Sequence, residues 1–481
     1  MAQVLRIVGL LLMAFSLSML PPIAVSFIYD DGAWSSFLTG FAVIASIGLL
    51  VWLPVCRNQQ DLRRRDGFLV VALFWVILGT AGSVPLLVAD EPDIGVTDAV
   101  FESVSGITTT GSTILTGIEH LPESILFYRQ QLQWLGGMGI IVLALALLPM
   151  LGVGGMQLYR AEMTGPLKDK KLTPRIAETA KSLWLIYCLI TGVCALAYYL
   201  AGMNLFDAIA HSFSTVAIGG FSPYDASIGH FESHAIELVA SVFLLIAALN
   251  FGLHFLAWRS RSVVHYIKDP EFRFFVTWIF SLLGIVILAV WILGVHEDPF
   301  TGFVKATFNT ISIATTTGYA SDDFAAWPAF LPVILIFASF VGGCAASTGG
   351  GIKAIRILLL IKQGGREIMR LVHPNAEIPV KLGRRIVPDQ VINAVWAFFS
   401  VYVAVYVLMM ILLMATGEDQ VTAFSAVAAT LNNLGPGLGD VATNMQGLAP
   451  TAKWAMMLSM VLGRLEIFTL LVILTPAFWQ R

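Results

Sequence analysis

Charge is scarce in this chain: Asp, Glu, Lys and Arg make up 12% of its 481 residues, whereas 57% are hydrophobic. With a mean hydropathy of +0.81, so little charge cannot clothe a water-soluble globule of this length, and the remaining class is a polytopic membrane protein. Cysteine is nearly as sparse. The four present, Cys56, Cys188, Cys194 and Cys344, lie in or at the ends of apolar runs with no CxxC pair. That pattern excludes a disulfide framework and a zinc site and leaves buried packing. The eight histidines form no HExxH or other metal-ligand spacing. There is no Walker A loop, no GxGxxG after a strand and no nucleophile elbow, so catalysis and nucleotide hydrolysis have no support and the chain reads as no enzyme. A net charge of −3, with basic residues spread over short loops, offers no nucleic-acid surface.

What is abundant is apolar length. Ten runs are long enough for a span, at 7–28, 36–56, 68–89, 131–150, 180–201, 235–258, 273–295, 328–360, 391–416 and 452–478. The first has Arg6 ahead of it but lacks a small-x-small cleavage site and exceeds a signal-peptide core, so it is expected to be an uncleaved span. The loops 57–67, 159–181, 259–273 and 353–385 hold 22 of the 28 Lys and Arg residues, and all four fall on one side of the ten-span arrangement, with Arg6 and Arg481. The positive-inside rule makes that side cytoplasmic, with both termini there. The other side collects Asp30, Asp31, Asp90, Glu91, Asp93, Glu119, Glu123, Glu297, Asp298, Asp322, Asp323, Glu418 and Asp419. An acidic outer face raises the local cation concentration; mere depletion of Lys and Arg from outer loops accounts for the same pattern.

Between these runs one unit recurs four times without gaps: 98–111 (DAVFESVSGITTTG), 207–220 (DAIAHSFSTVAIGG), 305–318 (KATFNTISIATTTG) and 422–435 (TAFSAVAATLNNLG). The second column is Ala99, Ala208, Ala306 and Ala423, and six residues before the glycine stand Ser105, Ser214, Ser312 and Ala429. Each unit reads as a helix too short to cross a bilayer, followed by a glycine loop, which is a re-entrant segment. Helix C-termini aimed at the membrane centre favour a cation there, and Asp98 and Asp207 complement the opposite ends, though Lys305 does not. Glycine permits the left-handed backbone with which a loop returns. The residues before it are uncharged, so backbone carbonyls rather than acidic side chains are the expected ion ligands. Small-residue patterns also serve helix packing, but four copies between spans point to permeation.

The quartet TTTGST, VAIGGFS, TTTGYAS and NNLGPGLG, with the glycine-rich GGCAASTGGG at 342–351, resembles the Trk/Ktr/HKT superfamily of cation transporters over essentially the whole chain, including an extra N-terminal pair of spans. The resemblance implies an all-α polytopic membrane protein with four membrane–pore–membrane repeats in pseudo-fourfold array around one pore. The units are then an N-terminal pair (1–66) and repeats at 67–178, 179–268, 269–385 and 386–481. It further implies potassium uptake through a carbonyl filter, with potassium bound by Thr109, Thr110, Gly111, Ile218, Gly219, Gly220, Thr316, Thr317, Gly318, Asn433, Leu434 and Gly435. Serine at the first filter glycine accompanies sodium permeability in plant members, so Gly111 implies potassium selectivity. The fourth loop departs from the pattern because Pro436 follows the glycine; Gly437 is a rival register that would displace Ala423 and Ala429 from their columns.

The resemblance assigns Gly342, Gly343, Cys344, Ala345, Ala346, Ser347, Thr348, Gly349, Gly350 and Gly351 to an intramembrane loop that obstructs the pore and must move for conduction. Five glycines in those ten residues break a helix in any case. Arg464, near the middle of the tenth run, must face a partner or water, and Glu466 two residues away is on the wrong side of a helix to be that partner. Arg464 is therefore expected to project into the cavity below the filter, near the gate loop, as an electrostatic barrier and latch, the alternative being a structural group bonded to helix-end carbonyls. Lys353 reads as a boundary charge. Loops 159–181 and 353–385 carry 14 basic residues, which serve topology and lipid-headgroup contact. The resemblance adds docking of a cytosolic TrkA-type RCK nucleotide-binding protein, a homodimer and a bacterial inner membrane. No organic cofactor is expected. The rival to passive conduction is proton- or sodium-coupled potassium symport, for which Asp440, Glu466 and His254 are the candidate coupling groups.

Overall fold

The computed structural model describes residues 2–57, 64–142, 172–328, 330–465 and 467–479. Residues 58–63 of the basic loop 57–67, residues 159–171 of the basic loop 159–181, Glu466 and Arg481 thus lie outside the described residues, as do the last eight residues of the run at 131–150. The principal helices are α1 (Ala2–Ser16), α2 (Leu20–Tyr29), α3 (Trp34–Trp52), α4 (Arg64–Ala81), α5 (Val96–Ile107), α6 (Glu123–Val142), α7 (Leu172–Leu200), α8 (Leu205–Ala217), α9 (His234–Ala247), α10 (Phe251–Ser260), α11 (Pro270–Ile292), α12 (Pro299–Ala314), α13 (Leu331–Val341), α14 (Ala354–Val372), α15 (Asp389–Ala415), α16 (Gln420–Leu431), α17 (Pro450–Arg464) and α18 (Phe468–Leu474). Six helical stretches among the described residues are long and apolar enough to cross a membrane, or seven if the bent pair α9–α10 is one span.

Their outward faces are as apolar as their cores. Leu38, Ile47 and Leu50 on α3, Phe280 and Leu288 on α11, and Leu408 and Ile411 on α15 are exposed, as suits helices whose solvent is hydrocarbon. Inward, close approach replaces a hydrophobic drive: α1 and α3 cross where a Cβ on Gly9 would stand 2.8 Å from Gly48 O.

Three expected spans are not single helices. The run 235–258 bends by 89° between α9 and α10. Asn250 caps the second piece by accepting from Gly252 N at 2.7 Å. The run 328–360 stops at Val341, and the chain resumes as α14, whose strong amphipathicity suits a surface rather than a bilayer crossing. The run 452–478 breaks after Arg464, with Ile467 at φ 53°. On the side of α14, a small hairpin pairs Lys381 with Ile386 and Leu382 with Arg385. Leu382, Val380 and Val391 close a second apolar cluster against Ile355 and Leu359 of α14.

The short helices of the four repeats are α5, α8, α12 and α16, of 12, 13, 16 and 12 residues. Three begin at side-chain caps: Asn204 accepts from Asp207 N, Asp298 from Thr301 N and Asp419 from Thr422 N, each at 2.8 Å. Bonds from Thr301 hold the Asp298 carboxyl below its ordinary range, and bonds from Thr422 do the same for Asp419.

Candidate ion pathway

Each short helix ends in the same turn. The N–H just before the repeat glycine donates to the carbonyl six residues before that glycine: Thr110 to Ser105 (2.9 Å), Gly219 to Ser214 (2.8 Å), Thr317 to Ser312 (2.8 Å) and Leu434 to Ala429 (2.7 Å). The residue two before the glycine is left-handed in every copy, with φ of 50° at Thr109, 53° at Ile218, 68° at Thr316 and 53° at Asn433. So is the glycine, at 81° (Gly111), 81° (Gly220), 83° (Gly318) and 102° (Gly435). Gly437 does not share this conformation, and the backbone puts Gly435 in the column of the other three.

The loops close on one another in cyclic order. A Cβ on Gly111 would collide with Gly219 O, one on Gly220 with Thr317 O and one on Gly318 with Leu434 O, while one on Gly435 would lie 3.0 Å from Thr110 O. Each glycine thus abuts the carbonyl that precedes the glycine of the next loop, and a larger residue would push that carbonyl away. Above the ring opens a cavity of about 410 Å³ lined by all four glycines and by Asp225, Asp322 and Asp323. Asp225 is absent from the acidic residues singled out by sequence. Below it the free space shrinks to about 50 Å³, bounded by Gly349, Gly350, Gly351, Lys353 and Arg464.

That lower space is filled by the 342–351 segment, which bonds directly to the second, third and fourth repeats. Thr348 Oγ1 donates to Val216 O (3.0 Å) at the end of α8, Gly350 N to Thr316 Oγ1 (2.6 Å), and Gly351 N to Asn432 O (3.1 Å). The first repeat is reached through Arg464, whose guanidinium donates to Thr348 O (3.1 Å) and, on its other side, to Thr109 O (3.1 Å), Thr109 Oγ1 and Thr108 O. The barrier-and-latch placement and the helix-end-carbonyl placement are therefore one position: Arg464 is buried at the end of α17, between the C-terminus of α5 and the segment. Lys353 is more than a boundary charge, since its Nζ donates to Gly349 O.

Several residues of this site escaped the sequence reading. Glu271 is buried and its Oε1 accepts from Ala345 N (2.6 Å) within the segment and from Ile355 N (3.2 Å) in the first turn of α14. The bend of α9–α10 grips the same segment, Cys344 N donating to Ala248 O (2.8 Å) and Phe251 N to Ala346 O (3.1 Å). Nine residues before the glycine stand Glu102, His211 and Asn309. Each reaches the chain beyond its own loop: Glu102 accepts from Ile114 N (3.1 Å), His211 Nε2 lies 3.0 Å from Ser222 Oγ, and Asn309 Nδ2 donates to Ser321 Oγ (3.2 Å). Arg129 pairs with Glu102 at 2.8 Å and donates to Ser222 O at 3.1 Å, joining the outer ends of loops one and two. Both ions are buried, and only this pairing makes their burial tolerable. The recurrence of polar residues in that column was the available signal. Lys305, the misfit at a helix start, sits 3.6 Å from Glu237. Of the proposed coupling groups, His254 lies in the bend, bonded to Tyr266 (2.6 Å) and Ile246 O (3.0 Å), and Asp440 is exposed.

A family model described as TrkH, a cation transport protein, matches residues 34–481. The chain is 57% identical over 479 residues to the Trk system potassium uptake protein TrkH of Halomonas elongata, covering 100% of this chain and 99% of that one. It is 55% identical over 476 residues to the protein of the same name from Escherichia coli K12, covering 99% of each. The crystal structure of the potassium transporter TrkH from Vibrio parahaemolyticus superposes with a TM-score of 0.93 at 54% identity, over 100% of this chain and 99% of that one. With likeness of this degree along its whole length, the chain is a multi-pass membrane protein that belongs to the TrkH family of cation transport proteins, which are transporters and not enzymes.

Proposed function

We propose that this chain takes up potassium passively through the ring formed by the four glycine loops, and that the 342–351 segment is its gate. The observation that carries the reading is the cyclic contact of Gly111, Gly220, Gly318 and Gly435, each with the carbonyl ahead of the next glycine, between an acidic cavity and a filled one. Uncharged carbonyl-rich loops with helix C-termini behind them suit a dehydrated alkali cation. The ligands in this reading are the carbonyls of Thr109, Thr110, Gly111, Ile218, Gly219, Gly220, Thr316, Thr317, Gly318, Asn433, Leu434 and Gly435. Arg464 latches the gate shut, and its charge directly under the ring repels a cation that reaches it. The names of the relatives supply potassium as the ion and a multi-component Trk system as the setting. In that setting the cytoplasmic face around α14 receives a TrkA-type RCK subunit, the inner membrane holds the protein as a homodimer, and both termini are cytoplasmic.

The test is ion flux in proteoliposomes holding this chain alone, under potassium, rubidium and sodium gradients, with Gly318→Ser beside the parent. A serine there is strained at φ 83°, and its Cβ would crowd Pro436 Cδ to 2.6 Å and strike Leu434 O. Potassium flux that follows its electrochemical gradient without proton movement, and loses its preference over sodium in the variant, is the expected result. A requirement for a proton or sodium gradient would make the protein a symporter instead.

A further inference from the structure

The four loops are braced in different ways. Loops one and three carry their own hydroxyl pairs, Thr108 with Thr110 at 2.7 Å and Thr315 with Thr317 at 2.8 Å. Loop four uses its asparagine, with Asn433 Nδ2 donating to Thr110 Oγ1 (2.8 Å) and Met460 O (3.0 Å). Loop two reads Ala217-Ile218-Gly219-Gly220. It has no side chain that can hydrogen-bond and has two glycines in succession, so left to itself it would be the most freely jointed of the four.

Its brace comes from α6. Gln133 is fully buried, and its amide straddles the loop: Nε2 donates to Gly219 O at 2.6 Å and Oε1 accepts from Phe221 N at 3.1 Å. A carbonyl needs a donor and an N–H needs an acceptor, so only one orientation of the amide serves both. The glycine at 219 is explained by the same contact. Its φ is not left-handed, and backbone freedom is not what it supplies. A Cβ there would land on the Gln133 amide, with Nε2 only 2.9 Å away. The other loops carry Thr110, Thr317 and Leu434 in that column. In loop two the amide of another helix stands where the side chain is missing.

We propose that Gln133 is a positioning residue for cation selectivity, holding the Gly219 carbonyl at its place in the ring. Discrimination against a smaller cation requires the carbonyls to resist closing around it, and this loop has no stiffness of its own. The proposal rests on the filter reading above. It is tested by the potassium-to-sodium flux ratio in proteoliposomes for Gln133→Leu and Gln133→Met, both similar in size but without the amide donor, with Gly318→Ser in parallel. Both Gln133 variants are expected to lower the ratio about tenfold, the factor that corresponds to one buried carbonyl left without its donor. An unchanged ratio in both, while Gly318→Ser lowers it, overturns the brace and leaves the filter standing. An unchanged ratio in Gly318→Ser as well removes the filter reading itself. Should Gln133→Leu not yield folded protein, Gln133→Met decides. A second arm uses Gly219→Ala, expected to cost selectivity beside Gln133 but nothing further in a Gln133→Ala background, because the clash is with the amide. Additive losses there would overturn the proposal.

Discussion

At the scale of single residues, the ring and the segment proposed as its gate are built from positions where a methyl group is too much. Gly350 shows it most directly: a Cβ there would strike Asn432 O and approach Thr316 Oγ1 to 3.1 Å. Its φ is not left-handed, so Gly350→Ala suffers only from crowding. The obstacle is backbone, which cannot swing aside as a flexible side chain can. The segment must therefore drop away from loops three and four, lengthening the bond from Gly350 N to Thr316 Oγ1. Gly350→Ala should raise potassium flux in the chain alone while leaving the potassium-to-sodium ratio unchanged, since the clash falls on Asn432 O and the Thr316 hydroxyl and not on the carbonyls assigned to the ring. A fall in flux with normal folding would mean that the segment does not obstruct the path.

At the scale of elements, the four short helices of the repeats differ in how they start, and the difference is testable. Asp298 and Asp419 cap α12 and α16 as carboxylates, whereas Asn204 caps α8 with a neutral amide. The folded pKa values of both aspartates are depressed, so their stabilisation is fully present above the unfolded carboxylate range and is lost as pH falls through the folded values. Asparagine is as good a cap as aspartate but does not titrate there. The double variant Asp298→Asn/Asp419→Asn should match the parent in thermal midpoint at neutral pH and lose less of it on acidification below about pH 4. Equal acid sensitivity would place the titrating groups elsewhere. The same elements mark the limit of what sequence could tell. The short helices and glycine loops were legible because a backbone task confines residue type to fixed columns. The 89° bend of α9–α10 was not: its run is long and apolar enough to read as one span in spite of Asn250 and His254, and the turn is held in part by a pair of bonds to the 342–351 segment, some 100 residues away. Gln133 was hidden for a like reason, as nothing near it in sequence repeats the task it performs on loop two.

At the scale of the whole molecule, one segment is bonded to repeats two, three and four and linked to the first through Arg464, and in the proposed gate this makes the closed state a sum of separate tethers. Arg464 joins it to the first repeat and Thr316 to the third, through Thr109 and Gly350 respectively. If the gate has two states, removing either tether lowers the stability of the closed one. A net hydrogen bond of about 1 kcal/mol shifts the open-to-closed ratio roughly fivefold, and bonds from a charged group shift it more. Arg464→Ala should therefore raise flux more than Thr316→Val, which loses only the oxygen that accepts from Gly350. Because the two tethers lie on different repeats and share no partner, their effects on the ratio should multiply in the double variant. Measured flux will follow that product only while the closed state predominates, then level off as opening approaches completeness. Flux in Arg464→Ala that is unchanged or reduced in correctly folded protein would leave the guanidinium as a cap for the carbonyls of Thr108 and Thr109 and nothing more. A double variant no faster than Arg464→Ala alone, at flux well below that plateau, would show that the segment is released as one piece by its first broken tether rather than held by independent ones.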